Sequence, residues 1–206
     1  MYLIKTPQFI QQLFPNYLWR IPTQEKLLYL SFDDGPIPEV TPWVLDTLRA
    51  YRAKATFFCV GDNICKHPDI FERLQQEKHS VGNHTFHHLD GWKTSTSNYL
   101  YDVEHCSDFT EQSTLFRPPY GHLKFSQVRQ LRNKYRIVLW DVLSGDFDAN
   151  LAPEKCLKNV LSATQAGSII VFHDSLKAAP RLKYVLPKFL EHYHQRGFQF
   201  KAITNQ

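Results

Sequence analysis

A chain of 206 residues with a formal net charge of +4 at pH 7 is long enough to bury one sizeable core without help from disulfides. Hydrophobic residues make up 43%, charged residues 21% and aromatic residues 14%, a balance that excludes a chain dominated by disorder and fits a compact α/β enzyme. The basic residues, among them Lys54, Lys78, Lys93, Arg129, Lys155 and Lys183, are scattered and form no run with interleaved aromatics, so nucleic acid is not an expected partner.

Thr6-Pro7 reads as an N-cap followed by proline at the first helical position, with Phe9, Ile10, Leu13 and Phe14 on one face and Pro15 as the stop. Such a face can lie on a membrane. No basic face accompanies it, so packing across the body of the domain is the expectation. Residues 1–25 are read as an N-terminal extension and 26–206 as the main domain.

From residue 26 onward, apolar runs end in polar or glycine-bearing loops and each is followed by a helical stretch. Strands are expected at 27–32, 55–60, 80–83, 115–117, 137–141, 168–172 and 198–201. Helices are expected at 41–51, 69–77, 98–110, 126–133, 153–163 and 185–195, with Pro42 at the first position of its helix. This alternation implies crossover connections and a parallel sheet. About seven βα units are crowded for an open sheet and few for an eight-stranded barrel, so an irregular seven-stranded (β/α) barrel in a single domain is expected. In such folds the chemistry gathers at the C-terminal ends of strands.

Cys59, Cys65, Cys106 and Cys156 form no CxxC pair and read as free thiols. No stretch approaches the roughly 20 apolar residues that span a bilayer, and the N-terminus lacks the pattern of a secretory signal. A cytoplasmic location without an integral membrane segment is the resulting expectation.

Asp33 and Asp34 directly follow the first expected strand, and Gly35-Pro36 turns the chain away. Adjacent side chains at a strand end diverge, so one carboxylate can ligate a metal while its neighbour reaches an activated water. A solvated turn would look the same in isolation. His84 and His88, spaced four apart after the third strand, share a face if that segment is helical. With Asp34 they supply the three protein ligands of a catalytic zinc-type site. The glutamate that serves as base in zinc-protease helices does not follow His84, which leaves Asp33 as the base; His87 is expected to point elsewhere. Arg117-Pro118-Pro119-Tyr120 ends the fourth strand, where Arg117 can orient a carboxylate and the Tyr120 N–H can face a ligand. His173 closes the sixth strand, where it can be a general acid near neutral pH; a core histidine without a chemical role would look the same in isolation.

Taken together, these stations resemble the polysaccharide deacetylases of the NodB-homology type, also called carbohydrate esterase family 4. Ser31 to Pro36 resembles TFDDGP, His84 to His88 fits H-(S/T)-x-x-H, and Arg117 to Tyr120 fits R-x-P-Y. Ala55 to Gly61 resembles the second-strand motif and Ile169 to Asp174 the final histidine motif, so the likeness runs over about residues 26–203. It implies Asp33 as general base, Asp34, His84 and His88 as metal ligands, His173 as general acid, Arg117 as the group orienting Asp33, and the Tyr120 N–H as an oxyanion donor. The implied cofactor is a divalent metal, zinc in the first place with cobalt or nickel admissible. The implied substrate is an N-acetylated carbohydrate such as peptidoglycan or a chitin-like oligomer. A deacetylase or deformylase of a lipid-linked sugar or other small amide, and a carbohydrate-binding homologue without catalysis, are the rival readings.

One motif departs from the pattern. The family's W-x-x-D-x-x-D-W stands here as Trp140-Asp141-Val142-Leu143-Ser144-Gly145-Asp146-Phe147, with Leu143 where the first aspartate belongs. Asp141, two residues earlier and on the same strand face, is expected to take over the contact with His173.

Overall fold

The computed structural model describes residues 2–110 and 113–204. Its strands run in chain order as β1 (Leu27–Asp33), β2 (Ala55–Cys59), β3 (Ser80–Asn83), β4 (Leu115–Phe116), β5 (Arg136–Ile137), β6 (Val142–Leu143), β7 (Ile169–His173) and β8 (Gln199–Phe200). They lie in the order β5-β4-β3-β2-β1-β7-β6, with β8 added beside the first half of β1, and every ladder pairing among the described residues is parallel. Helix α1 (Gln8–Leu13) precedes β1, and helices α2 (Thr41–Ala50), α3 (Gly61–Lys66), α4 (Pro68–Gln76), α5 (Thr96–Ser107), α6 (Phe125–Leu131), α7 (Pro153–Ala163) and α8 (Ala179–His194) lie in the crossovers between strands. The seven-stranded path curls into a half-barrel, the form taken here by the irregular seven-stranded barrel that the alternation implies.

The two-residue period of the strands divides the side chains by chemistry. Leu28, Leu30 and Phe32 of β1 and Ile170 and Phe172 of β7 face a large core shared with Leu45 and Leu48 of α2 and Leu182, Leu186 and Phe189 of α8. Phe32 stacks on Phe57 and Phe172 at ring-centroid distances of 5.0 and 5.9 Å. Each such buried ring contributes about 1.5–3 kcal/mol, which fixes the register of the central strands. The alternate residues point inward. Tyr29 and Ile169 fill the floor with Phe58, Leu115 and Val138. Ser31, Asp33 and His173 continue that inner face towards the C-terminal end, with Asp33 opposite His173 across the β1–β7 ladder.

Two expected elements are corrected. The single strand at 137–141 is two short ones, β5 and β6, at opposite ends of the sheet path. The residues between them pair with the N-terminal segment instead: Leu139 N–H donates to Leu18 at 2.8 Å and Thr6 N–H to Asp141 at 2.9 Å. That segment bridges Val142 through Lys5, Val138 through Leu18 and Ser168 through Arg20, so it covers backbone that an open sheet would leave unpaired. The second correction concerns α1. None of its side chains is buried, and Phe9 and Leu13 are 62% and 70% exposed. Thr6 does not cap it either, because its hydroxyl donates to the Trp140 carbonyl. The segment is anchored through its flanks and through Gln11, which donates to Asp141, and the apolar face does not pack across the body.

Candidate active site

The site begins where β1 ends. Asp33 is buried and accepts a 2.6 Å hydrogen bond from Arg117 Nη1, which also donates to Ser31 Oγ at 2.8 Å. Arg117 is 0% exposed, lies 4.0 Å over the Phe58 ring, and spends its other donors on the carbonyls of Val138 and Leu139. A buried guanidinium satisfied on all sides is a rigid fork, and its fork is what aims Asp33 Oδ1. The expected pairing of Arg117 with Asp33 is thus present in the geometry.

Asp34 leaves the strand with φ of 86°, in the left-handed region, and a cis peptide joins Gly35 to Pro36. The turn is held by residues that sequence reasoning did not assign. Asp174 accepts from Gly35 N–H at 3.1 Å and from Thr41 Oγ1 at 2.6 Å, and a Cβ on Gly35 would lie 2.1 Å from Asp174 Oδ2. Only glycine allows that approach. Burial pushes the Asp174 carboxyl up to about 7 against the opposing Thr41 hydrogen bond. Asn63 Nδ2 donates to the Asp34 carbonyl at 2.7 Å and fixes the turn from α3.

His84 and His88 come together through a compact turn. The segment is not helical, and Thr85 and His88 have φ of 63° and 55°. Asn83 Oδ1 accepts from Thr85 N–H at 2.9 Å, and Asp102 of α5 accepts from the N–H groups of Phe86 and His87 at 2.9 and 3.0 Å. His87 turns outward against the same carboxylate, as expected of the intervening histidine. Of the six non-glycine residues with positive φ among the described residues, four (Asp34, Thr85, His88 and Tyr120) cluster in the site loops, where surrounding hydrogen bonds hold a backbone that L-residues rarely adopt.

Asp34, His84 and His88 each bring a ligand atom to within 4.8 Å of the others. Asp34 Oδ1 lies 3.9 Å from His84 Nε2 and 3.3 Å from His88 Nε2. His84 Nδ1 sits 2.7 Å from the Arg117 carbonyl, which can only accept, so Nδ1 carries the proton and the Nε2 lone pair faces the cluster. Burial keeps His84 neutral, down at about 4. Burial acts to raise Asp34, but the hydrogen bond from His88 and the positive charge of His173 outweigh it and hold that carboxyl well below its ordinary range. An ionised carboxylate converging with imidazole lone pairs is a donor set that fits a divalent cation.

Across from the cluster stands His173. Both its backbone N–H and its Nδ1 are 2.8 Å from the Asp146 carboxylate, which can accept from Nδ1–H and leaves Nε2 for another partner. Burial alone would lower this imidazole, but Asp146, with Asp34 and Asp33 nearby, raises it to about 9. The expectation that Asp141 makes this contact is wrong. Asp141 lies on the far side of the sheet edge, where Lys5, Gln11 and Ser168 bond its oxygens at 2.6, 3.2 and 2.5 Å. The second aspartate of the degenerate motif, at position 146, carries the role, because Gly145 with φ of 78° turns the chain after β6 and brings Asp146 back to β7.

Tyr120 sits in a single 3₁₀ turn, Pro119–Gly121, with φ of 61°. Its ring is 4.9 Å from that of His88, and its backbone N–H has no acceptor among the described residues. All four cysteines are free.

Residues 20–139 match the family described as polysaccharide deacetylase. A peptidoglycan-N-acetylglucosamine deacetylase of Bacillus cereus is 32% identical over 192 residues, covering 90% of both chains. A chitooligosaccharide deacetylase of Azorhizobium caulinodans is 34% identical, over 75% of this chain and 77% of its own length. The crystal structure of a peptidoglycan N-acetylglucosamine deacetylase in complex with 4-naphthalen-1-yl-N-oxidanyl-benzamide superposes with a TM-score of 0.87 at 28% identity, over 96% of this chain and 95% of that one. A family match over more than half the chain, around a site built as that family's motifs imply, leaves one conclusion: the chain belongs to the polysaccharide deacetylase family.

Proposed function

We propose that the chain is a metal-dependent hydrolase that removes acetyl groups from N-acetylglucosamine-type residues of a glycan such as peptidoglycan or a chitin-like oligomer. The observation that carries this is the convergence of Asp34, His84 and His88 between a base held by Arg117 and an acid held by Asp146. The relatives named as deacetylases of these glycans support the substrate class.

Asp34 Oδ1 and the Nε2 atoms of His84 and His88 would hold the ion, and zinc is the metal that two imidazoles and one carboxylate suit best, with cobalt or nickel admissible. A divalent cation there supplies a Lewis acid that acidifies water and polarises the acetamide carbonyl. Asp33, fixed through Oδ1 by Arg117, keeps Oδ2 for the proton of the attacking water. The Tyr120 N–H, held in a left-handed turn without an acceptor among the described residues, meets charge developing on the carbonyl oxygen. His173, protonated through its contact with Asp146, donates from Nε2 to the leaving amine, and acetate departs.

Acetate release from N-acetylglucosamine oligomers tests this reading. Turnover is expected in the presence of zinc and is expected to vanish with a chelator and return on adding metal. Tight oligomer binding with no acetate under any metal would refute it.

A further inference from the structure

Beside the metal cluster, three aromatic rings form a continuous run. Tyr120 lies 4.9 Å from His88 and 5.9 Å from His122, and His122 is stacked on Trp92 at 3.6 Å with the planes only 6° apart. Tyr120 and Trp92 are 60% and 59% exposed, so the faces not used in these contacts are open to solvent.

The Trp92 end of this run is locked in place. One oxygen of Asp90 bonds both the Trp92 backbone N–H, at 2.9 Å, and His122 Nδ1, at 3.1 Å. The indole N–H donates to the Leu123 carbonyl at 3.2 Å. The two loops involved are also joined beneath the rings: Gln127, fully buried, donates to the Gly91 carbonyl at 2.9 Å, and a Cβ on Gly91 would lie 2.2 Å from the His122 carbonyl. A large aromatic side chain that is half exposed yet fixed by its polar edge, its backbone and one covered face has lost its freedom before any ligand arrives. The covered face is supplied by an imidazole and the open face is flat and apolar, which suits the C–H face of a pyranose ring.

We propose that Trp92, backed by His122 and continued by Tyr120, is a stacking platform for a sugar unit next to the one being deacetylated, so that the enzyme selects extended glycans over isolated N-acetyl sugars. This rests on the deacetylase reading above and names the residue that would give it chain-length preference. Trp92 follows His88 by four residues and His122 follows Arg117 by five, so the motifs that build the candidate metal site also position the platform.

Steady-state kinetics of Trp92→Ala and Trp92→Phe on tetra-N-acetylchitotetraose and on 4-nitrophenyl acetate, which has no sugar, test the platform. Trp92→Ala is expected to raise KM for the tetramer about tenfold. It should leave kcat and the turnover of the sugar-free ester near wild type, and Trp92→Phe should restore most of the loss. An unchanged KM for the tetramer, or an equal loss on both substrates, would overturn the proposal. Should the wild type release no acetate from the tetramer, the deacetylase reading fails, and tetramer binding followed by titration calorimetry decides the platform alone: loss of binding in Trp92→Ala supports it, and unaltered binding overturns it.

Discussion

His173 shows how one neighbour decides a residue's chemistry. Without Asp146 its burial would favour the neutral ring; with it the imidazolium persists to about pH 9. Because the folded-state value lies above the ordinary 6.5, the pair's contribution to stability is complete below about pH 6.5 and is lost as the pH rises through about 9. Asp146→Asn removes the charge that favours the proton, so the basic limb of the pH–rate profile is expected to move to lower pH. A divalent cation held by Asp34, His84 and His88 would act in the same direction. Asp141→Asn is the contrasting variant. It weakens bonds to Lys5 and Ser168 far from His173, so a stability loss of roughly 1–3 kcal/mol with an unmoved basic limb is expected. Urea unfolding and a pH–rate profile on both variants check the pair of outcomes.

At the scale of elements, the site depends on turns stretched between rigid strands. The 84–88 turn has no periodic hydrogen bonding of its own and takes its shape from Asn83 and from Asp102 on α5. Asp102→Ala is expected to free two backbone N–H groups and lower metal affinity about 10- to 100-fold, as loss of an outer support commonly does. Competition against a chelating dye measures it. The same distinction explains what the sequence could tell. Strands Ser80–Asn83 and helix Pro153–Ala163 fall where their apolar patterns set them, and the polar stations do lie at strand ends. The histidine spacing was legible, but its reason was not: a four-residue interval brings imidazoles together in a helix or in a turn with two left-handed residues, and only the latter occurs. The short helix α3 was hidden because Gly61 to Lys66 offers few apolar positions between two stronger elements. The Asp146 contact was hidden because strand-face parity pointed to Asp141, and parity ends where β6 turns at Gly145.

For the molecule as a whole, stability and chemistry occupy opposite faces of the same strands. The outward residues of β1, β2 and β7 bind the helices into the main core, while the inward residues carry the charge cluster. Amides of those central strands are expected to exchange hydrogen only on global unfolding. Amides of α1, which buries no side chain, are expected to exchange by local opening at far lower cost. Native-state exchange read by mass spectrometry distinguishes the two classes, and equal protection in α1 would mean that its apolar face is covered in solution.

The division of labour between the paired aspartates at the end of β1 is the centre of the proposed chemistry, with Asp34 among the ligands and Asp33 held aside by Arg117. Metal content and acetate release measured together on Asp33→Asn test it directly. The expected result is wild-type metal content with acetate release abolished; loss of the metal from that variant, or retention of turnover, would contradict it.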